Sequence, residues 1–280
     1  MESSRNQNGI GEKELLVVSF GTSYYDSRRL TIGAVEEVLE REFPDYAVRR
    51  GFTSRRIIER LKKRDGLLID DTEQALKRAE ENGVKRLVIQ PTHLMHGLEY
   101  QKLAKQAAAH RGAFDEIVLG EPLLASERDF QIVIEAVTEE LAPYDDGKTA
   151  VCLMGHGTED KANQVYEKIQ EKMREAGHQH YYIGTVEANP GVEEVAEAVK
   201  AGNYSRVVLA PFMLVAGDHA NNDMAGDEED SWRSVFSREG YQVLCLLKGL
   251  GELEKIRFLF AEHAREAMNS LKLTYHGFCS

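Results

Sequence analysis

The second half of this 280-residue chain repeats the first, and the repeat limits what it can fold into. Leu16-Val-Val-Ser-Phe-Gly-Thr22 is answered by Ala150-Val-Cys-Leu-Met-Gly-His156. Val48-Arg-Arg-Gly-Phe-Thr53 is answered by Tyr182-Ile-Gly-Thr-Val-Glu187. The run from Arg86 to Glu99 is answered by the run from Arg206 to His219, with Pro91 and Pro211 in step and Gly97 and Gly217 in step. The spacing is far too long for a solenoid repeat, so a duplicated domain is expected. On this alignment Thr22 becomes His156, Thr53 becomes Glu187 and Glu99 becomes His219. One copy alone therefore carries two imidazoles and a carboxylate at three strand ends. Those side chains bind transition metals and move protons near neutral pH.

Short apolar runs alternate with longer amphipathic ones, the signature of βαβ units. Strands are expected at 15–20, 46–52, 86–91 and 116–119, and again at 150–154, 181–186, 206–210 and 242–247. The first and third strand of each half are almost unbroken apolar runs, as in parallel strands covered on both faces. Helices are expected at 30–43, 72–82, 127–141, 161–176 and 192–201. The pattern breaks near Ala142-Pro-Tyr-Asp-Asp-Gly-Lys148, which sets an N-terminal α/β domain at 1–143 and a C-terminal one at 144–280. A final helix at 252–271 is expected to pack back on the first domain, and the extra residues of the first half fall at 60–71. In open parallel sheets, ligands bind outside the carboxyl ends of the strands. Two such sheets would face a shared cleft.

Charge and composition narrow the function. A net charge of −12 argues against nucleic acid as a partner. The apolar runs fall short of the roughly 20 residues that span a bilayer, so no membrane partner is expected. The polar start, Met1 to Glu14, lacks the apolar centre of a secretory signal and reads as a disordered lead-in. With three widely spaced cysteines, Cys152, Cys245 and Cys279, the chain reads as cytoplasmic, with buried free thiols. Nucleotide motifs fail: Ala142 stands where a phosphate loop before Gly147-Lys148-Thr149 needs glycine, and Asp160 spoils a dinucleotide fingerprint at Gly155. Tyr25 likewise excludes a nucleophile elbow at Gly21-Thr-Ser23.

Each candidate residue has a plainer reading. His156, in Gly155-His-Gly157-Thr158, is either an exposed strand-end ligand or a turn histidine bonded to backbone. Glu187 either serves a site or favours the helix after Pro190 by its charge. His219 lies in a loop after a strand, where binding residues gather, or is a surface histidine. The acidic run Asp223 to Asp230 reads as a solvated helix start before Trp232. His93 and His96 flank Leu94-Met95 between Pro91 and Gly97, too constrained for a helical metal pair, and are candidate ligand contacts. Thr22 and Glu99 share the strand-end placement of His156 and His219. Arg49, Arg50, Arg55 and Arg56 could grip an anion bidentately, but strand and helix register sends neighbouring members to different faces.

Val17-Val-Ser-Phe-Gly-Thr-Ser23, Gln90-Pro-Thr-His-Leu-Met-His-Gly-Leu-Glu-Tyr100, Gly155-His-Gly157, Val186-Glu187 and Gly217-Asp-His219 together resemble the anaerobic cobaltochelatases of cobalamin biosynthesis. These are class II chelatases, which insert cobalt into sirohydrochlorin. The resemblance runs from about Glu14 to Leu271. It implies two flavodoxin-like halves around a central cleft, and metal-binding residues at His156, Glu187 and His219. It further implies Co²⁺ as substrate metal, no organic cofactor and sirohydrochlorin as partner; Thr22, Arg55, Glu99, His93 and His96, by their own placement, are the candidate substrate contacts. Iron or nickel insertion and a non-catalytic metal or tetrapyrrole carrier stay open as alternatives, and so does a homo-oligomer.

Overall fold

The chain was analysed as a computed structural model that describes residues 5–276, with side chains to residue 270. Two compact units emerge: residues up to Ala125 together with those from Arg257 onward, and Ser126–Ile256. The expected boundary at 143/144 lies one helix too late. Helix 127–141 belongs to the second unit, because Glu127 pairs with Lys168 and Lys172, and Lys168 lies over the Phe130 ring at 4.5 Å.

The first unit holds β1 (Lys13–Ser19), α1 (Tyr25–Arg28), a π-helical turn Arg29–Gly33, α2 (Ala34–Glu42), β2 (Ala47–Phe52), α3 (Arg55–Asp65), β3 (Asp70–Asp71), α4 (Thr72–Glu81), β4 (Arg86–Pro91), α5 (Leu98–Ala109) and β5 (Glu116–Leu119). Its sheet has the order β3-β2-β1-β4-β5, and all its pairings are parallel. The second unit holds α6 (Glu127–Leu141), β6 (Thr149–Gly155), α7 (Gln164–Glu175), β7 (Tyr181–Thr185), α8 (Val192–Lys200), β8 (Arg206–Pro211), α9 (Trp232–Arg238) and β9 (Gln242–Cys245). Its parallel sheet runs β7-β6-β8-β9. Without the two-residue β3, both sheets share one order, as duplication predicts. Helix α10 (Glu254–His276) closes the chain; Arg265 on it pairs with Glu42 at 2.9 Å and stacks over Phe43.

The strand interiors are buried on both faces, which explains their unbroken apolar runs. Leu15 through Val18 and Ala150 through Cys152 have no exposed surface. Under one face of the first sheet, Leu16, Val18 and Ile89 pack on Ala75, Leu76 and Leu103 from α4 and α5. Under one face of the second, Cys152, Met154 and Leu209 pack on Val195, Val199, Trp232 and Phe236 from α8 and α9. Helix starts follow capping chemistry. Asp71 and Gln74 form a capping box at α4, as do Ser126 and Asp129 at α6.

Several expectations change. The extra residues of the first unit form α3 and β3, beginning before residue 60. Expected helix 30–43 is split by the π-helical turn. The lead-in is tied down where described: Arg5 pairs with Glu36 at 2.8 Å, and Asn6 donates to the Leu68 carbonyl at 2.8 Å. Cys152 is a buried free thiol, Cys245 on the edge strand is half-buried, and Cys279 lies outside the described residues. Among the described residues no helix is long and apolar enough to cross a membrane.

Candidate metal centre

Three loops of the second unit bring His156, Glu187 and His219 together. The β6–β7 ladder does not stop at the strand ends. The Val186 N–H donates to the Gly155 carbonyl at 3.0 Å and the Glu187 N–H to the His156 carbonyl at 2.8 Å. Two of the three side chains are thus held by one backbone pair. The glycines of Gly155-His-Gly157 have separate reasons. At Gly157 (φ +85°) a Cβ would lie 2.9 Å from the Ala188 nitrogen and the Thr185 Cβ. At Gly155 a Cβ would press into the ring of buried Tyr166. The third side chain comes from the turn after β8. There Asn221 donates to the Gly217 carbonyl from its backbone (3.1 Å) and its side chain (2.7 Å), opening a π-helical turn, Ala220–Met224, behind His219.

The donor atoms of the three residues all lie within 4.8 Å of one another. His156 Nδ1 is 3.4 Å from Glu187 Oε2, and His219 Nε2 is 3.8 Å from Glu187 Oε1. The imidazoles meet edge to face, with centroids 4.7 Å apart and planes at 84°. All three side chains reach solvent; Glu187 is 54% exposed. Each ring also has a further acceptor close to its Nδ1. His156 Nδ1 lies 3.0 Å from the Gly157 carbonyl, and His219 Nδ1 lies 2.9 Å from Asp223 Oδ2. With Nδ1 of His219 as the donor, its Nε2 carries the lone pair and faces Glu187, the arrangement in which backing groups orient metal-ligating histidines; in His156 it is Nδ1 that faces both the Gly157 carbonyl and Glu187. The two readings of His156 are compatible: its ring meets the Gly157 carbonyl and also stands beside Glu187 and His219. Asp223 was expected in a solvated helix start; instead it sits four residues after His219, with Oδ2 2.9 Å from the His219 Nδ1. That i, i+4 spacing was the available signal.

The first unit shows which residues stand in the matching places, and one expected pairing shifts. Val18 is opposite Pro91 and Met154 opposite Pro211, so Val18 matches Met154. Phe20 then matches His156, Gly21 (φ +98°) matches Gly157, and Thr22 matches Thr158. The threonines behave alike: each Oγ1 accepts the N–H two residues on, from Tyr24 at 3.3 Å and Asp160 at 3.2 Å. Ser54 donates its N–H to Phe20 as Glu187 does to His156, so Ser54, not Thr53, stands in the place of Glu187. Glu99 keeps its match to His219, since Gln101 bonds Gly97 as Asn221 bonds Gly217. Matching Gly21 to Gly155 placed the first strand two residues out of step.

The expected substrate contacts all belong to the first unit. Thr22 is buried and its carbonyl accepts from Arg28 at 3.0 Å. Glu99 begins α5 with Oε2 buried and without a hydrogen-bond partner. Both His93 ring nitrogens are likewise buried and unpartnered, and burial lowers its pKa to about 4. His96 pairs with Glu121 at 2.6 Å and packs edge-on to Tyr100. Arg55 is exposed, with Asp71 at 4.0 Å. The other half of the basic cluster cannot grip an outside anion. Arg50 is buried and forks onto Glu36 at 2.7 and 2.6 Å. Arg49 is fully buried between Glu14 (3.6 Å) and Asp70 (3.3 Å). A buried guanidinium needs internal carboxylates, and neighbouring strand positions supplied them on opposite faces.

A family model described as cobalt chelatase (CbiK) matches residues 13–269. The chain is 38% identical over 258 residues to a sirohydrochlorin cobaltochelatase of Salmonella typhimurium, covering 92% of this chain and 97% of that one. It is 29% identical over 266 residues to the sirohydrochlorin cobaltochelatase CbiKC of Nitratidesulfovibrio vulgaris, covering 93% and 92%. Among solved structures, SirB from Bacillus subtilis with Fe³⁺ superposes with a TM-score of 0.64 at 15% identity, over 94% of this chain and 98% of that one. That likeness concerns the fold alone.

Proposed function

The chain belongs to the cobalt chelatase family, and from that premise we propose that it inserts Co²⁺ into sirohydrochlorin at His156, Glu187 and His219. The observation that carries the site is the convergence of three donors within 4.8 Å on strand-end loops of one unit. Two imidazoles and a carboxylate suit a borderline divalent ion and leave coordination positions open for incoming ring nitrogens. Cobalt here is a substrate, held briefly and passed on.

Insertion replaces two pyrrole N–H protons with the metal, so the site must also accept protons. An imidazole does this near neutral pH. His156 is assigned the metal contact and the first proton, in sequence. His219 holds the ion or takes the second proton. Glu187, between the two rings, offsets the charge of the ion. The same donors accept Fe²⁺ and Ni²⁺, so metal choice is not written in the ligand set.

The test follows absorbance after mixing protein, sirohydrochlorin and Co²⁺, and repeats it with Fe²⁺ and Ni²⁺. Metallation well above the protein-free rate is expected, with Co²⁺ turned over. Rates equal to the control would replace the enzyme reading with a carrier.

A further inference from the structure

The end of β6 is braced by a side chain that takes no part in the donor set. Tyr166, in the first turn of α7, is 2% exposed. Its Oη accepts the Gly157 N–H at 3.4 Å and a further hydrogen bond from the His156 backbone. Its ring meets Phe212 edge-on at 6.4 Å. Phe212 is itself anchored, its N–H bonded to the Met154 carbonyl at 2.7 Å. Room for the phenol exists because residue 155 is glycine: a Cβ there would lie 2.9 Å from Oη and closer still to the ring carbons.

Two consecutive peptide N–H groups therefore converge on one oxygen. The His156 N–H lies in the Gly155–His156 peptide and the Gly157 N–H in the His156–Gly157 peptide, so the two bonds fix the planes on either side of the His156 Cα, and those planes set where its side chain leaves the backbone. The Gly157 carbonyl of the next peptide backs the imidazole Nδ1 at 3.0 Å, so the brace reaches the ring by two routes.

We propose that Tyr166 is a positioning residue for metal insertion: by accepting the His156 and Gly157 N–H groups, its phenol oxygen aims the His156 imidazole at the point shared with Glu187 and His219. This rests on the function proposed above. Without the oxygen, two donors lose their acceptor and the peptide relaxes. The ring, and with it the packing on Phe212, is kept by a phenylalanine.

The experiment is Tyr166→Phe, with Co²⁺ titrated onto the protein in the absence of sirohydrochlorin, followed by steady-state metallation. Groups that orient ligands from behind are worth about 10–100-fold in metal affinity. Co²⁺ affinity is expected to fall about 10-fold, and kcat to fall with it, while KM for sirohydrochlorin holds. Unchanged Co²⁺ affinity and kcat, even with a lower Tm, would reduce Tyr166 to a packing residue and overturn the inference. Phe212→Leu, which withdraws the support of the ring, gives a second route to the same readouts should Tyr166→Phe not fold. His156→Ala is the control. If it leaves wild-type Co²⁺ affinity intact, the metal centre itself is wrong. If it abolishes binding while Tyr166→Phe does not, only the positioning role fails.

Discussion

At the scale of single residues, function rests on what surrounds each donor more than on the donor itself. His156→Ala is expected to stay folded, since the side chain is 40% exposed, and to lose about 100-fold or more of the metallation rate as its base disappears. Wild-type turnover with normal circular dichroism would contradict the assignment. Asp223→Asn keeps the shape behind His219 but removes the negative charge 2.9 Å from its Nδ1. Co²⁺ affinity should drop about 10-fold, read by titration. The residues that converge were legible as candidates, because a histidine between glycines and a carboxylate ending an apolar strand are unusual. Asp223 was not read as a partner, because it sat in an acidic run whose ordinary fate is solvent.

At the scale of elements, the strand ends carry the site and the buried charges carry the pH response. Gly157→Ala forces a Cβ into a positive-φ turn against Ala188 and Thr185. A loss of at least about 1–2 kcal/mol in unfolding free energy is expected from the backbone alone, measured by denaturant titration. At the start of β1, burial raises the Glu14 pKa to about 7; neither oxygen finds a hydrogen bond, and the opposing pull of Arg49 at 3.6 Å only partly offsets the burial. Its ordinary value is 4.5, so between pH 4.5 and about 7 the unfolded chain has released the proton while the folded one keeps it. This group therefore contributes stability at low pH that is lost as pH rises through that window. Glu14→Gln should flatten that part of the Tm-against-pH curve; an unaltered slope would show that Glu14 does not titrate there. The main strands and most long helices were readable from period alone, whereas α3 and α5 were not among the helices expected. The offset between the repeats was not, because Gly21 resembles both Gly155 and Gly157 in a string of letters, and only ladder hydrogen bonds choose between them.

At the scale of the molecule, one strand order appears twice, yet among the described residues the cluster of side chains able to hold a metal ion lies at the strand ends of the second unit. The first unit has Phe20, Ser54 and Glu99 in the matching places. Because the ligand set forms only on folding, Co²⁺ should stabilise the native state. At 100 times Kd the gain is about 2.7 kcal/mol, seen as a rise in Tm. The rise should vanish in His219→Ala, and a rise of equal size in that variant would place the ion elsewhere.

The string of residues already declares its duplicated α/β plan and the three side chains that converge at the strand ends of the second unit, because hydrophobic period and unusual residue types are local properties. Partnership is a different matter. Which carboxylates neutralise Arg49 and Arg50, which aspartate backs His219, and which tyrosine braces His156 depend on atoms a few ångströms apart in space and far apart along the polymer. Hydrogen bonds and ion pairs act at those distances, so only the folded arrangement could select them.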